Sequence, residues 1–131
     1  MFRGWPAALP ADIEVLTVQL PGREVRIAET PLTDYREAVT RCFTALRPLL
    51  DRPYALFGHS MGALLAYGVA VTARRMYAPS PQRLLVSGCA GPGSRPDRPA
   101  RGQWSDAELV EDLRELGGTP EGCSPTPRCW T

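Results

Sequence analysis

One stretch near the middle of the chain constrains its fold more than any other. The apolar run Tyr54–Phe57 is followed directly by Gly58–Gly62, which has the pattern Gly-x-Ser-x-Gly, and then by an Ala- and Leu-rich segment, Met61–Met76. A short apolar run that ends at glycine predicts a buried strand, and the segment after the pattern predicts a helix. The sequence therefore predicts a strand that turns sharply into a helix, with Ser60 at the tip of the turn.

This arrangement is a nucleophile elbow, in which a serine hydroxyl is exposed for attack on a carbonyl carbon. A hydroxyl is a weak nucleophile at neutral pH, so it needs exposure, a base and donors that stabilise an oxyanion. We predict that Ser60 is the nucleophile and that the backbone N–H of Met61, at the positive end of the helix, is an oxyanion donor. Gly58 and Gly62 are predicted to let the strand and the helix approach each other closely.

His59 is the only histidine in the chain, and a catalytic triad needs an imidazole base. Two interpretations stay open: His59 is this base, or it is a packing or hydrogen-bonding residue beside Ser60. The second is favoured, because His59 directly precedes Ser60 and the turn directs its side chain elsewhere. No histidine follows Ser60, so we expect the triad Asp and His to be absent from this chain; Asp97, Asp106 and Asp112 are weak candidates for the acid.

The other patterns predict alternating strands and helices, and thus an α/β fold with parallel strands and helical crossovers. Strands are predicted over Ile13–Leu20, Tyr54–Phe57 and Leu84–Ser87, and helices over Thr33–Leu50, Met61–Met76 and Ser105–Leu116.

Details within these helices are also predicted. Thr33 is the expected N-cap of the first helix, Pro48 should disturb its last turn, and Ser105 with Glu108 should form a capping box. The expected core residues of the first helix are Tyr35, Val39, Phe43, Leu46 and Leu50. Gly68 either permits a close helix contact or has no role.

Composition argues against several classes of protein. The 131 residues carry a net charge of +1, which gives no electrostatic reason to expect nucleic acid or an anionic membrane as a partner. No run approaches the ~18 apolar residues of a membrane span, so we expect a cytoplasmic protein. Four cysteines without a Cys-x-x-Cys pair, together with one histidine, predict no metal site. All 15 basic residues are arginine, which favours a high-GC bacterial source.

Three stretches carry a resemblance to a known family: Trp5-Pro6 with Val18–Arg26, then Gly58–Ala63, then Leu113–Pro120. They resemble the type II (editing) thioesterases of polyketide and nonribosomal peptide synthesis, which belong to the α/β-hydrolase superfamily. The elbow is shared by many hydrolases, so the other two stretches narrow the resemblance to this family.

The resemblance implies a single partial α/β-hydrolase domain over residues 1–131, with a helical lid region at 92–121 and a divergent tail at 122–131. It implies a serine enzyme without a cofactor that hydrolyses acyl groups from the phosphopantetheine arm of an acyl or peptidyl carrier protein. Arg23 and Arg26 either contact this acidic partner or a phosphate, or they are solvated loop residues or form internal salt bridges, and the second interpretation is favoured.

The family's second oxyanion donor precedes the stretches matched here, and its catalytic Asp and His follow the lid. We therefore expect a copy truncated at both ends, with very low activity and poor stability. Two alternatives stay open: a catalytically inert fragment or carrier-binding module, and a serine esterase of different specificity.

Overall fold

The computed structural model describes residues 4–91 and 104–115. The chain divides into two compact units, Met1–Cys89 and Ala90–Thr131. The helices and strands are α1 (Trp5–Ala8), α2 (Tyr35–Leu46), β1 (Ala55–His59), α3 (Met61–Arg75), β2 (Arg83–Ser87) and, in the second unit, α4 (Asp106–Glu115). Short 3-10 turns lie at Glu24–Arg26 and Arg47–Leu49.

The two strands pair in parallel, and α3 forms the crossover between them. The register places Leu56 beside Leu84 and Gly58 beside Val86. A parallel pair requires a connection of a dozen or more residues, and the 15-residue helix α3 supplies it. The predicted strand, helix and parallel strand around Ser60 are confirmed, with bounds that differ by a few residues.

The core of the first unit lies between α2, α3 and the sheet. Its buried members are Cys42, Phe43, Leu50, Val69 and Ala73, with Leu46 and Leu56 packed against them. On the opposite face of the sheet, the ring of Trp5 lies 4.7 Å from that of Phe57, centroid to centroid. Both faces of β1 are therefore in contact with helices, as an α/β fold requires.

The N-cap of helix α2 lies one residue later than the sequence predicts. Asp34 is the N-cap, and its Oδ1 accepts a hydrogen bond of 2.8 Å from the backbone N–H of Glu37. The predicted cap Thr33 is wrong, because the chain becomes helical at Tyr35 and the residue just before it must supply the acceptor. Pro48 has its predicted effect, since the segment Arg47–Leu49 is a 3-10 turn rather than α-helix.

The core positions predicted for α2 are partly confirmed. Val39, Phe43 and Leu50 are buried, and Leu46 packs against the core cluster. The prediction of Tyr35 as a core residue is wrong, because 47% of its surface is exposed. Its hydroxyl donates a hydrogen bond of 2.9 Å to the carbonyl of Leu64 in α3.

The predicted strand Ile13–Leu20 is absent. This segment carries no strand pairing, and Ile13, Leu16 and Val18 are each about half exposed. An alternating apolar pattern becomes a strand only when a neighbouring strand accepts its ladder, and the only ladder among the described residues joins β1 to β2. Here the segment is instead held at its end, where Leu20 packs against the core and Arg26 donates to the Gln19 carbonyl.

The capping box predicted in the second unit is confirmed. The Glu108 carboxylate accepts hydrogen bonds from the backbone N–H and the hydroxyl of Ser105, both at 2.7 Å. These bonds, the backbone one first, lower the pKa of Glu108 below its usual range. Of the predicted lid region, 92–103 and 116–121 lie outside the described residues, as does the predicted tail 122–131.

No helix in the described ranges is long and apolar enough to cross a bilayer. Within those same ranges, no three His, Cys, Asp or Glu side chains are grouped closely enough to hold a metal ion.

Candidate active site

Ser60 occupies the turn between β1 and α3, with φ 54° and ψ −120°. A positive φ is uncommon for any residue with a Cβ and costs about 1–3 kcal/mol unless its surroundings impose it. Two backbone bonds fix the turn: the Ser60 N–H donates to the Ser87 carbonyl at 2.8 Å, and the Ser60 carbonyl accepts from the Ala63 N–H at 3.0 Å. The residue is exposed, so its hydroxyl is open to a ligand.

The two glycines of the pattern, Gly58 and Gly62, differ in the atoms that surround them. Gly58 is buried, and a Cβ there would collide with the carbonyl of Gly62 and approach the Ala63 nitrogen to 2.6 Å. The predicted close approach of strand and helix is thus confirmed for Gly58. It is wrong for Gly62, because an added Cβ at that position meets no atom of the described chain within 4 Å.

Met61 is the first residue of α3. The N–H groups of the first helical turn have no acceptor within their own helix, and they lie at its positive end. The Met61 N–H follows Ser60 directly and has no acceptor within α3, as its predicted role of oxyanion donor requires; that role stays a prediction.

His59 lies beside the turn, and its ring is bonded to β2. Its Nδ1 is 3.2 Å from the hydroxyl of Ser87, the residue opposite it in the parallel register. The ring also lies against Gly88, which has φ +62° and whose Cβ position would be 2.6 Å from His59 Cε1. Within residues 4–91 no hydrogen bond joins His59 to Ser60, which favours the hydrogen-bonding interpretation of His59 over the catalytic one.

Ser87 was given no role by the sequence analysis, although it touches the turn twice. It bonds His59 through its hydroxyl and Ser60 through its carbonyl. Aligning the ends of the two predicted strands places Ser87 opposite Phe57, two residues short of His59. The contact therefore depends on the register that the structure shows, which pairs Ser87 with His59.

The three candidate acids all lie outside the unit that carries Ser60. Asp97 lies outside the described residues, and Asp106 and Asp112 belong to the second unit, in α4.

The loop that carries Arg23 and Arg26 is organised by an internal ion pair. Two guanidinium nitrogens of Arg26 bond the Glu29 carboxylate at 2.6 Å, and a third donates to the Gln19 carbonyl at 2.8 Å. The hydrogen bond from Arg26 holds the pKa of Glu29 below its usual range. For Arg26 the salt-bridge interpretation is supported, whereas Arg23 is an exposed loop residue.

The arrangement as a whole presents an exposed hydroxyl on a strained turn next to a free helix N-terminus. An exposed hydroxyl beside unpaired helix N–H groups is compatible with the predicted attack of Ser60 on an acyl carbonyl.

Comparison with known proteins gives a consistent result. A family model described as a thioesterase domain matches residues 1–131. The gramicidin S biosynthesis protein GrsT of Aneurinibacillus migulanus is 39% identical over 120 residues, which are 92% of this chain and 47% of that protein.

Two solved structures match closely. RedJ, a thioesterase from the prodiginine pathway of Streptomyces coelicolor, is 46% identical with a TM-score of 0.82 over 89% of this chain and 44% of that one. BorB, a type II thioesterase from the borrelidin cluster, is 42% identical with a TM-score of 0.79, and the match covers 92% of this chain and 49% of BorB. The predicted α/β-hydrolase class is confirmed, and the chain spans less than half the length of each of these three relatives.

Proposed function

Because this chain belongs to the thioesterase domain family, we propose that it acts as a type II thioesterase, releasing acyl groups from the phosphopantetheine thiol of a carrier protein. The observation that carries this proposal is the Ser60 turn, a serine at positive φ between a parallel strand and a helix N-terminus. The same stretch is one of the three that carry the resemblance to editing thioesterases.

The proposed reaction has two steps. The Ser60 hydroxyl oxygen bonds to the thioester carbonyl carbon, and the resulting oxyanion accepts a hydrogen bond from the Met61 N–H. The carbon–sulfur bond then breaks and leaves an ester on Ser60. The hydroxyl proton ends on the departing pantetheine sulfur. Water then attacks the ester, which releases a carboxylic acid and restores the hydroxyl.

We propose that the 131 residues alone turn over slowly, because the one imidazole of the chain is held by Ser87 rather than by Ser60. Serine hydrolases that lack a triad member still accelerate their reaction about 10³–10⁴-fold over water through binding and oxyanion donors. Acylation of Ser60 is therefore expected to be measurable even where turnover is poor.

The proposed partner is an acyl or peptidyl carrier protein, and the proposed location is the cytoplasm. The names of the relatives support this class of partner, since they place GrsT in gramicidin S biosynthesis and RedJ in a prodiginine pathway. Of the two loop arginines, Arg23 is the better candidate for an acidic partner, because the Arg26 guanidinium is occupied by Glu29.

The test is to incubate the chain with an acyl-pantetheine thioester and to follow its intact mass. We expect one acyl group, located on Ser60 by peptide mapping, and none on Ser60→Ala. Ser80→Ala is the matched control, because Ser80 is an exposed serine outside the turn and its loss should leave acylation unchanged.

Two results would contradict the proposal. If acylated carrier protein binds tightly while Ser60 never becomes acylated, the chain is a binding module. If an oxygen ester of the same acyl group acylates Ser60 much faster than the thioester does, the chain is a serine esterase of another specificity.

A further inference from the structure

Three contacts tie the end of β2 to the Ser60 turn, and two of them involve the side chain of His59, which the proposed reaction does not use. The Ser87 carbonyl accepts the Ser60 N–H at 2.8 Å, and the Ser87 hydroxyl lies 3.2 Å from Nδ1 of His59. The His59 ring lies over Gly88, whose Cβ position would be 2.6 Å, 3.0 Å and 3.2 Å from three of its ring atoms. Only glycine fits there, because the site combines this contact with φ +62°.

These contacts matter because the backbone conformation of Ser60 is unfavourable on its own. Its φ of 54° is unfavourable for a residue with a Cβ and persists only where neighbouring structure over-determines it. The bond from Ser60 N–H to Ser87 is one such constraint, and it holds only while the last residue of β2 stays in place. The imidazole bond and the ring contact with Gly88 both fix that residue.

We propose that His59 and Ser87 are positioning residues for Ser60: the imidazole of His59 anchors Ser87, and the Ser87 carbonyl holds the turn that presents the nucleophile. The inference rests on the proposed role of Ser60. It assigns the chain's only histidine a role in geometry rather than in proton transfer. The geometry favours this role because the hydroxyl beside Nδ1 belongs to Ser87.

Two substitutions of His59 separate the hydrogen bond from the ring contact. His59→Asn places an amide group close to where Nδ1 lies and can still bond the Ser87 hydroxyl, but it cannot act as a base. His59→Phe keeps a ring against Gly88 but offers no nitrogen. At the partner residue, Ser87→Ala removes the hydroxyl and Ser87→Thr keeps it.

Two readouts are measured on the full chain: the rate at which a fluorophosphonate probe labels Ser60, followed from pH 5 to 9, and the hydrogen-exchange rate of the Ser60 amide. We expect His59→Phe and Ser87→Ala to slow labelling and to speed amide exchange by about two- to tenfold, the factor that corresponds to one net hydrogen bond. His59→Asn and Ser87→Thr should recover both rates, and the pH profile of His59→Asn should match that of the wild type. Thr40→Ala is the control, since it removes an exposed hydroxyl bonded to a helix carbonyl away from the turn.

The proposal is overturned if His59→Asn labels as slowly as His59→Phe and loses a pH-dependent step, because His59 is then a base. It is also overturned if Ser87→Ala leaves both readouts unchanged. If the wild type is not labelled at Ser60, the proposed function fails, and Ser60 amide exchange still decides the positioning role. If Ser87→Ala does not fold, the comparison of His59→Asn with His59→Phe decides the same question.

Discussion

At the scale of single residues, the two glycines of the Gly-x-Ser-x-Gly pattern have different reasons to be glycine. Gly58 lies under the first turn of α3, where a methyl group would meet backbone atoms of Gly62 and Ala63. Backbone atoms cannot rotate away as the end of a long side chain can, so relief of this clash would require strand and helix to separate. Gly62 faces open space within the described chain, so its local geometry tolerates a Cβ.

We predict opposite effects of the same substitution at these two positions. Gly58→Ala should destabilise the chain by about 1–3 kcal/mol through overpacking, and it should slow labelling of Ser60 because the turn is displaced. Gly62→Ala should stabilise it by about 0.5–1 kcal/mol, since alanine loses less backbone entropy in a helix. Chemical denaturation of both variants checks the prediction, and equal destabilisation by the two would contradict it.

The sequence predicts the turn at Ser60 and the tight packing of Gly58 because strand, turn and helix are neighbours along the chain. It predicts the same packing for Gly62, because the pattern does not say which atoms a Cβ at each glycine would meet. It missed Ser87 because that residue meets Ser60 only through the register of two strands, a non-local relation. Contacts set by register depend on how whole elements pair, and residue patterns alone do not encode them.

At the scale of elements, the contact between α2 and α3 depends on Gly68. A Cβ at this position would lie 2.5 Å from Val39 Cγ2 and 2.6 Å from the Tyr35 hydroxyl oxygen. That hydroxyl also donates to the Leu64 carbonyl, which fixes the two helices to each other at the same place. The close helix contact left open by the sequence is therefore present, and it offsets the helix propensity that glycine lacks.

We predict that Gly68→Ala destabilises the chain by about 1–2 kcal/mol, because the overpacking cost exceeds the gain of about 1 kcal/mol in helix propensity. In a Val39→Ala background the same change should cost less, since the Val39 methyl groups that collide are gone and only the Tyr35 hydroxyl, at the end of its side chain, must shift. A double-mutant cycle measured by chemical denaturation gives this coupling. Simple additivity of the two changes would show that Val39 is not the obstacle.

Helices and strands were predictable from the sequence where residues close together in the chain determine them. Asp34 caps α2 one residue after the expected Thr33, a shift within the ordinary uncertainty of a helix end. The failure at Ile13–Leu20 has a different cause. Its alternation is a real β pattern, but pairing requires a second strand in the right place, and among the described residues none is paired with it.

At the scale of the whole molecule, the sheet leaves much apolar surface exposed. Leu85 and Val86 in β2 are 50% and 55% exposed, and Phe57 in β1 is 39% exposed. The described sheet has two strands, and a parallel sheet is normally covered on both faces. Exposed apolar strands with free edges promote association between chains.

We predict that the chain self-associates at micromolar concentration through this surface and that Leu85→Arg shifts it toward monomer. Val25→Arg is the matched control, because it adds the same charge at a residue that is 90% exposed in a 3-10 turn outside the sheet. Sedimentation velocity measures the outcome. A wild-type monomer that unfolds cooperatively would contradict the prediction, as would equal effects of the two substitutions.

The bond between Ser60 and Ser87 also has a consequence for the order in which the molecule folds. Helix α3 forms from neighbouring residues, and its formation requires no distant partner. The turn at its start is different, because the residues that hold it, His59 and Ser87, are 28 positions apart and meet only when β2 docks. We therefore expect the conformation of the Ser60 turn to form only after β2 has docked, and to be lost when β2 separates from β1.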